Sequence, residues 1–293
     1  MVGTRQMAGV AEGLRKRGCK LVLVGDPDQL QPIEAGTPFK EIVETHGAAR
    51  LVEIRRQASE WQRQASCNLA DGKTEMAIAA YSNHGSVHSD QSREHAIAAL
   101  VDDYMADWQD NPKSSRLALA HRRKDVHAIN QAIKSARRAN GKTKTETLFE
   151  TDHGPRSFAP GDRLLFTRND ATLNVRNGML GTVTKVGHRQ LTISLDPNGD
   201  SAVQTLTFAP KTFTAIDHGF AVSIHRSQGC TVDRSFVLDS RTMDANLTYV
   251  ALTRHKTETA LYTAPEIKRK QISQEPTISA LTDFSAKLPA RSR

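Results

Sequence analysis

Three short, almost unbroken apolar runs constrain the fold more than any other feature of the chain: "KLVLVGD" from Lys20, "RLALAH" from Arg116 and "RSFVLD" from Arg234. Strands that are apolar on both sides must be covered on both sides, which is the situation of a parallel sheet flanked by helices. Helical stretches lie between the runs. Met7, Val10, Ala11 and Leu14 fall at helical spacing, and Gly18 is placed to end that helix. A second helix is expected from Pro38 to about Thr45. From Glu60 to Asp110 the chain reads as helical, with Leu69, Met76, Ile78, Ala79 and Tyr81 as one apolar set and Ile97, Leu100, Val101, Tyr104, Met105 and Trp108 as another. The helix after "RLALAH" puts Val126, Ile129, Ile133 and Ala136 on one face, and "RLVEIRRQ" from Arg50 reads as one more strand leading into two arginines.

The texture changes from Phe158 to Pro210. "RLLFTR", "LGTVTKV", "QLTISL" and "VQTLTF" are short alternating runs separated by turn residues such as "DPNGD". Closely spaced short strands of this kind predict a small β-barrel or curled sheet, inserted into the α/β pattern that resumes after it.

Charge narrows the partners. Lys and Arg number 40 against 32 Asp and Glu, a net charge of +8, which suits an anionic partner such as nucleic acid as well as it suits a merely basic surface. Nine of the basic residues lie between Arg116 and Lys144 with one acid, Asp125. They either line a groove or form a solvated helix face. Three scattered cysteines form no metal-ligand spacing and no disulfide framework, so a cytoplasmic protein with no resident metal is expected. No run approaches the ~18 apolar residues of a membrane span.

Four stretches carry groups suited to phosphate chemistry. In "GDPDQLQPIEAG", Gly25 and Asp26 sit at a strand's C-terminal tip, where open α/β sheets bind ligands, and Gln29 is an amide mounted between prolines. An ordinary capped surface turn would use the same residues. "EIRRQ" offers guanidinium forks at a strand end, "VSIHRSQG" a hydroxyl, an imidazole, a guanidinium and an amide, and "YVALTRHK" ends an apolar run at Arg254. Taken singly, each is equally compatible with a salt-bridged or solvated surface.

In this order the four stretches resemble motifs III to VI of superfamily-1 helicases of the RecD-like branch, and the resemblance is to the helicase part of TraA-type conjugative-transfer relaxases. "LAHRRKDVHAIN", "PGDRLLFTRND" and "VRNGMLGTV" fit the same family, over roughly residues 1 to 264. The resemblance implies an ATP-dependent single-stranded-DNA translocase. Gln29 would couple the γ-phosphate to the DNA site, Arg56 would contact the γ-phosphate, and Arg254 would be the arginine finger. Gly25, Asp26, Gln228 and Gly229 would border the nucleotide, while Arg122, Arg123, Ser223, His225 and Arg226 would contact DNA. It also implies a division into a remnant of a first RecA-like domain (1–57), a helical connecting segment (58–113), a second RecA-like domain (114–150 and 211–264), an inserted small β-barrel (155–210) and a loose tail (265–293).

Two departures qualify the match. Neither a GxxxxGK[ST] loop nor the acidic pair that holds Mg2+ is visible; "ANGKTKT" has Ala136 where the first Gly belongs and no strand leads into it. Many relatives have Glu where this chain has Thr231, which weakens the nucleotide contact there. The sequence is therefore expected to be the latter part of a longer motor. ATP and Mg2+ would bind only in the complete motor, whose missing N-terminal segment would be a partner. The competing expectations are a stand-alone non-enzymatic DNA-binding module and an inert truncated remnant.

Overall fold

The computed structural model describes residues 2–30, 36–49, 53–141, 146–197 and 203–264. Its centre is a five-stranded parallel sheet in the order β1 (Val87–Ser89), β12 (His255–Thr263), β11 (Val232–Leu238), β2 (Arg116–Ala120), β10 (Ala221–Ser223). Alternation along β2 explains the layering. Leu117 and Leu119 face one apolar cluster, which α3 (Glu60–Ala70), α4 (Thr74–Asn83) and α7 (Ala245–Leu252) complete through Leu69, Tyr81 and Val250. Ala118 and Ala120 face the other, completed by α5 (Arg93–Asp110) and α6 (Arg123–Ala139) through Leu100, Ile129 and Ile133. Small residues on that side let the two helices lie close to the sheet. Strand β10 is an edge, and Asn130 of α6 closes it: its amide donates to Ala221 O and accepts from Ala221 N at 2.8 and 3.0 Å.

The β-rich insertion follows α6. A hairpin of β3 (Thr147–Phe149) and β4 (Arg156–Phe158) precedes an antiparallel sheet in the order β8 (Thr205–Phe208), β7 (Leu191–Leu195), β6 (Leu180–Val186), β5 (Arg163–Phe166), β9 (Ile216–His218). The strands anticipated from alternation are present. The pairing is that of an open sheet: β8 and β9 are its edges and do not pair with each other among the described residues. Phe158, Phe166, Phe208 and Phe213 form its own core. The chain returns to the parallel sheet at Gly219, where a Cβ would lie 2.9 Å from the Leu164 backbone, so only glycine lets the crossing strand approach.

Three expectations need correction. "KLVLVGD" is not a strand: residues 19–26 pair with nothing among the described residues, and Val22 and Val24 are 70% and 90% exposed. An extended segment becomes a strand only when a neighbour takes its backbone hydrogen bonds, and no described segment lies alongside it. Residues 53–57 of "RLVEIRRQ", whose first three residues lie outside the described part, form no strand either, although the Arg56 and Gln57 side chains bond to Thr253 O and His255 O. Segment 58–113 is not only helical, because β1 joins the sheet through β12 and α5 covers it. Helices α1 (Thr4–Lys16) and α2 (Pro38–His46) form where expected, although α1 buries no residue. The 265–293 tail, Pro32, and the Lys142–Lys144 part of the basic run fall outside the described residues.

Candidate functional site

Two constellations emerge, joined by α7 and the 3-10 turn Ile224–Ser227.

The first surrounds the C-terminal end of α7, an almost wholly apolar helix capped by Asp244, whose carboxylate accepts from Leu247 N. Its polar exceptions reach the N-terminal segment. Tyr249 donates to Asp26 at 2.9 Å, Asp26 also accepts from the Gln29 amide at 2.9 Å, and Asn246 donates to Gln29 O at 3.1 Å. Arg56 donates to Thr253 O at 2.7 Å, and Gln57 is held by Thr253 O and His255 O. Gly25 lies against the Phe39 ring, at a distance where a Cβ would be 3.2 Å from it. The N-terminal segment is thus pinned to α7 mainly by polar contacts, with Leu30 packed on the apolar cluster.

Arg254 is the unusual member. It is 2% exposed, and its guanidinium donates to Val250 O at 2.8 Å and to Thr253 Oγ1 at 3.0 Å. No carboxylate forms an ion pair with it or with Arg56 among the described residues. Burial first, and the repulsion of Arg56 second, push its pKa down to about 10. Burial also lowers Arg56. Beside them His255 is fully buried, and desolvation holds its imidazole at about 4, so it adds no positive charge at neutral pH. The two guanidiniums thus repel each other across the C-terminal end of α7, and Asp26 favours the charge of Arg254 without forming an ion pair with it among the described residues. Among the described residues no cluster of three or more His, Cys, Asp or Glu could hold a metal ion. Gln228 and Gly229 (φ +82°) form the turn from Ser227 to Cys230, and Cys230 senses the charge of Arg254.

The second constellation is a groove of about 1470 Å3 between α6, the 3-10 turn and the inserted sheet. Of the expected DNA contacts, Arg123, Ser223, His225 and Arg226 line it. Ser223 caps the 3-10 turn by accepting from Arg226 N, which presents the two basic side chains from one short element. Arg122 is not among the lining residues, because its guanidinium is bound to Asp125 at 2.7 Å, which Arg93 also holds. Most of the basic run is likewise engaged. Arg116 pairs with Asp107, Lys134 and Arg137 with Asp162, and Arg138 with Glu146. Arg123 and Lys124 are exposed and unpaired among the described residues. The insertion contributes Arg156, Arg168 and Asn177, which sequence reasoning missed. Arg168 and Asn177 lie in stretches already quoted but carried no role there, and Arg156 of β4 is held to β9 by Asp217 at 2.8 Å. Tyr249 and Asn246 were also missed, although Tyr249 stands five residues before Arg254 in a stretch already singled out.

A family model described as an AAA domain matches residues 1–92. Conjugal transfer protein TraA of Rhizobium radiobacter is 39% identical over 262 residues, 89% of this chain and 24% of that protein. The RecBCD enzyme subunit RecD of Mycolicibacterium smegmatis is 30% identical over 297 residues, 94% of this chain and 50% of that protein. The chain therefore spans about a quarter and about half of these relatives. Among solved structures, Pif1 helicase from Candida albicans aligns with a TM-score of 0.52 at 15% identity, covering 87% of this chain and 68% of that one, which bears on the fold alone. The parallel sheet, its helical layers and sequence similarity along about nine-tenths of the chain agree, and the chain is a homologue of one segment of the conjugal transfer protein TraA and of the RecD subunit.

Proposed function

We propose that the chain is the DNA-gripping, arginine-donating half of an ATP-dependent single-stranded-DNA motor belonging to a conjugative relaxase. A single strand lies in the groove, its phosphates held by Arg123, Arg226 and the Ser223 hydroxyl. Arg56 and Arg254 face the γ-phosphate of an ATP whose remaining phosphates and Mg2+ are held by a phosphate loop and carboxylates outside this sequence. Gln29, tied to α7 through Asn246 and Asp26, reports nucleotide state to the helix that leads into Arg254. The relatives' names, conjugal transfer protein and RecBCD subunit, support a DNA substrate. The observation that carries the reading is the convergence of Arg123, Ser223, His225 and Arg226 on one groove.

One specific observation favours a second reading, a DNA-binding module without ATPase activity: the groove gathers Arg123, Ser223, His225 and Arg226, whereas among the described residues the phosphate site has two arginines and no cradle. Fluorescence anisotropy with labelled oligo(dT) at several salt concentrations tests the reading that both share. Binding should weaken steeply with salt, and Arg226→Ala or Arg123→Ala should each lower the slope of log K against log salt by about one. Binding that neither substitution alters would remove the groove from the account.

A further inference from the structure

Five of the chain's eleven histidines line the groove: His121, His127, His153, His218 and His225. No Phe, Tyr or Trp does so. The imidazole is the one side chain whose ordinary charge change falls between about pH 5 and 8, so a strand seated here lies against groups that can gain protons. They are not equivalent. His218 is buried, and its ring is hydrogen-bonded to Ser157 O at 2.9 Å; burial lowers its pKa, so it stays neutral. His127 and His153 are exposed on α6 and on the hairpin loop.

His121 and His225 differ from the rest because they face each other, ring centres 5.6 Å apart and planes tilted by 32°. His121 follows the C-terminal end of β2, and His225 belongs to the 3-10 turn that follows β10, the neighbouring parallel strand. Nδ1 of His121 is fixed by Thr242 Oγ1 at 2.7 Å, and Thr242 in turn shares a hydrogen bond with Ser240. Nε2 of His121 and the ring of His225 have no hydrogen-bond partner among the described residues. With the groove empty, two imidazolium rings at this separation repel. Desolvation and then the neighbouring ring lower the pKa of His121; Arg122 opposes protonation too, while Asp244 and Asp125 favour it.

The rest of the groove leaves this pair exposed to a ligand's charge. From α6, Lys134 and Arg138 are engaged by Asp162 and Glu146, and Arg123 is free. From the insertion, Asp217 is held by Arg156, and Asp152 by Arg168 and Thr214. From the 3-10 turn, Arg226 adds one free cation. The acids that line the groove already have basic partners, and His121 with His225 is the place, among the described residues, where two of its imidazoles stand against each other.

We propose that the groove takes up protons together with its single strand, and that His121, paired with His225, is a DNA-contacting residue that is largely neutral when the groove is empty and cationic when a phosphate sits against the two rings. This rests on the DNA-groove reading above. A phosphate reverses the electrostatic sign at the pair, so the affinity of the wild-type chain must rise as pH falls through neutrality.

The experiment uses the full chain and labelled oligo(dT), because thymine has no group that titrates between pH 6 and 8. Anisotropy at fixed salt should show affinity rising roughly threefold to tenfold from pH 8 to pH 6. Isothermal titration calorimetry at pH 7 in two buffers of different ionisation enthalpy should show net proton uptake. His121→Gln should flatten the pH profile and remove most of the uptake, whereas His188→Gln, on the exposed β6–β7 turn, should leave both as in the wild type. Binding with a flat pH profile and no proton uptake overturns this inference and leaves the groove reading standing; so does a slope that His121→Gln fails to change. Failure to bind oligo(dT) at any pH overturns the groove reading itself.

Discussion

Arg254 has 2% of its surface exposed and no carboxylate in ion-pair range among the described residues. Holding its pKa at about 10 instead of 12.5 corresponds to about 3 kcal/mol of disfavoured charge, present at every pH below about 10 because the guanidinium is protonated there. Tyr249 and Cys230 sit close enough to feel the same charge, and burial raises both of their pKa values, so neither ionises to balance it at neutral pH. An oxyanion bound between Arg56 and Arg254 would relieve the strain. Sulfate should therefore raise the melting temperature of the chain above its general salting-in-place effect, and Arg254→Gln should lose the site-specific part. The comparison is between wild type and variant, in sulfate and in chloride of equal ionic strength. A shift of equal size in both proteins would mean that the two arginines are not an anion site.

Helix α6 illustrates what an element's sequence reveals and what it conceals. Its apolar face was legible: Ile129 and Ile133 are fully buried as their spacing required. The fate of its cations was not, because an arginine that lines a groove and an arginine that neutralises a buried acid look alike in sequence. The structure assigns most of them to the second role. Asp162 of the insertion is fully buried and receives Lys134 at 2.5 Å, Arg137 at 3.2 Å and the Ala159 amide at 2.8 Å, while Arg137 lies over the Trp108 ring at 4.3 Å. The strands of "RLALAH" and "RSFVLD" were legible for a related reason: each lies beside a described neighbour that satisfies its backbone. "KLVLVGD" has the same composition without such a neighbour, and composition alone could not say so. The candidate site divides in the same way. Arg56, Arg254, Ser223, His225 and Arg226 were singled out from local wording, whereas the place of Arg156, Arg168 and His121 in one groove depends on packing between elements far apart in sequence. Asp162→Ala would leave the buried Arg137 without a carboxylate and Lys134 with Glu146 alone, and should cost about 3–5 kcal/mol. Urea denaturation checks the magnitude, and limited proteolysis should show cleavage within 147–218 before cleavage in the parallel-sheet layers. A loss below about 1 kcal/mol would show that the packing of Leu165 and Leu180 alone docks the insertion.

At the scale of the whole molecule, the two constellations share a short physical link. Ile224, in the turn that presents His225 and Arg226, packs in the same apolar cluster as Val250 and Leu252 of α7, and α7 ends at Leu252, two residues before Arg254. Such a link can transmit energy only if a ligand occupies each end, because coupling is a difference between the affinities of one site with the other filled and empty. The groove supplies its own contacts. The phosphate end supplies two guanidiniums, whereas ATP carries about four negative charges that demand a ring of N–H donors, a lysine and a metal ion. For this chain alone the expected outcome is therefore asymmetric. Oligo(dT) should bind with the same affinity, within about twofold, whether or not millimolar ATP and Mg2+ are present, and phosphate release should stay at background with DNA added. Anisotropy titrations with and without nucleotide, together with a phosphate-release assay, test both halves. If ATP tightened or loosened DNA binding severalfold and Arg254→Ala removed that effect, the 293 residues would contain a complete nucleotide site, and the division of labour proposed for the motor would have to be abandoned.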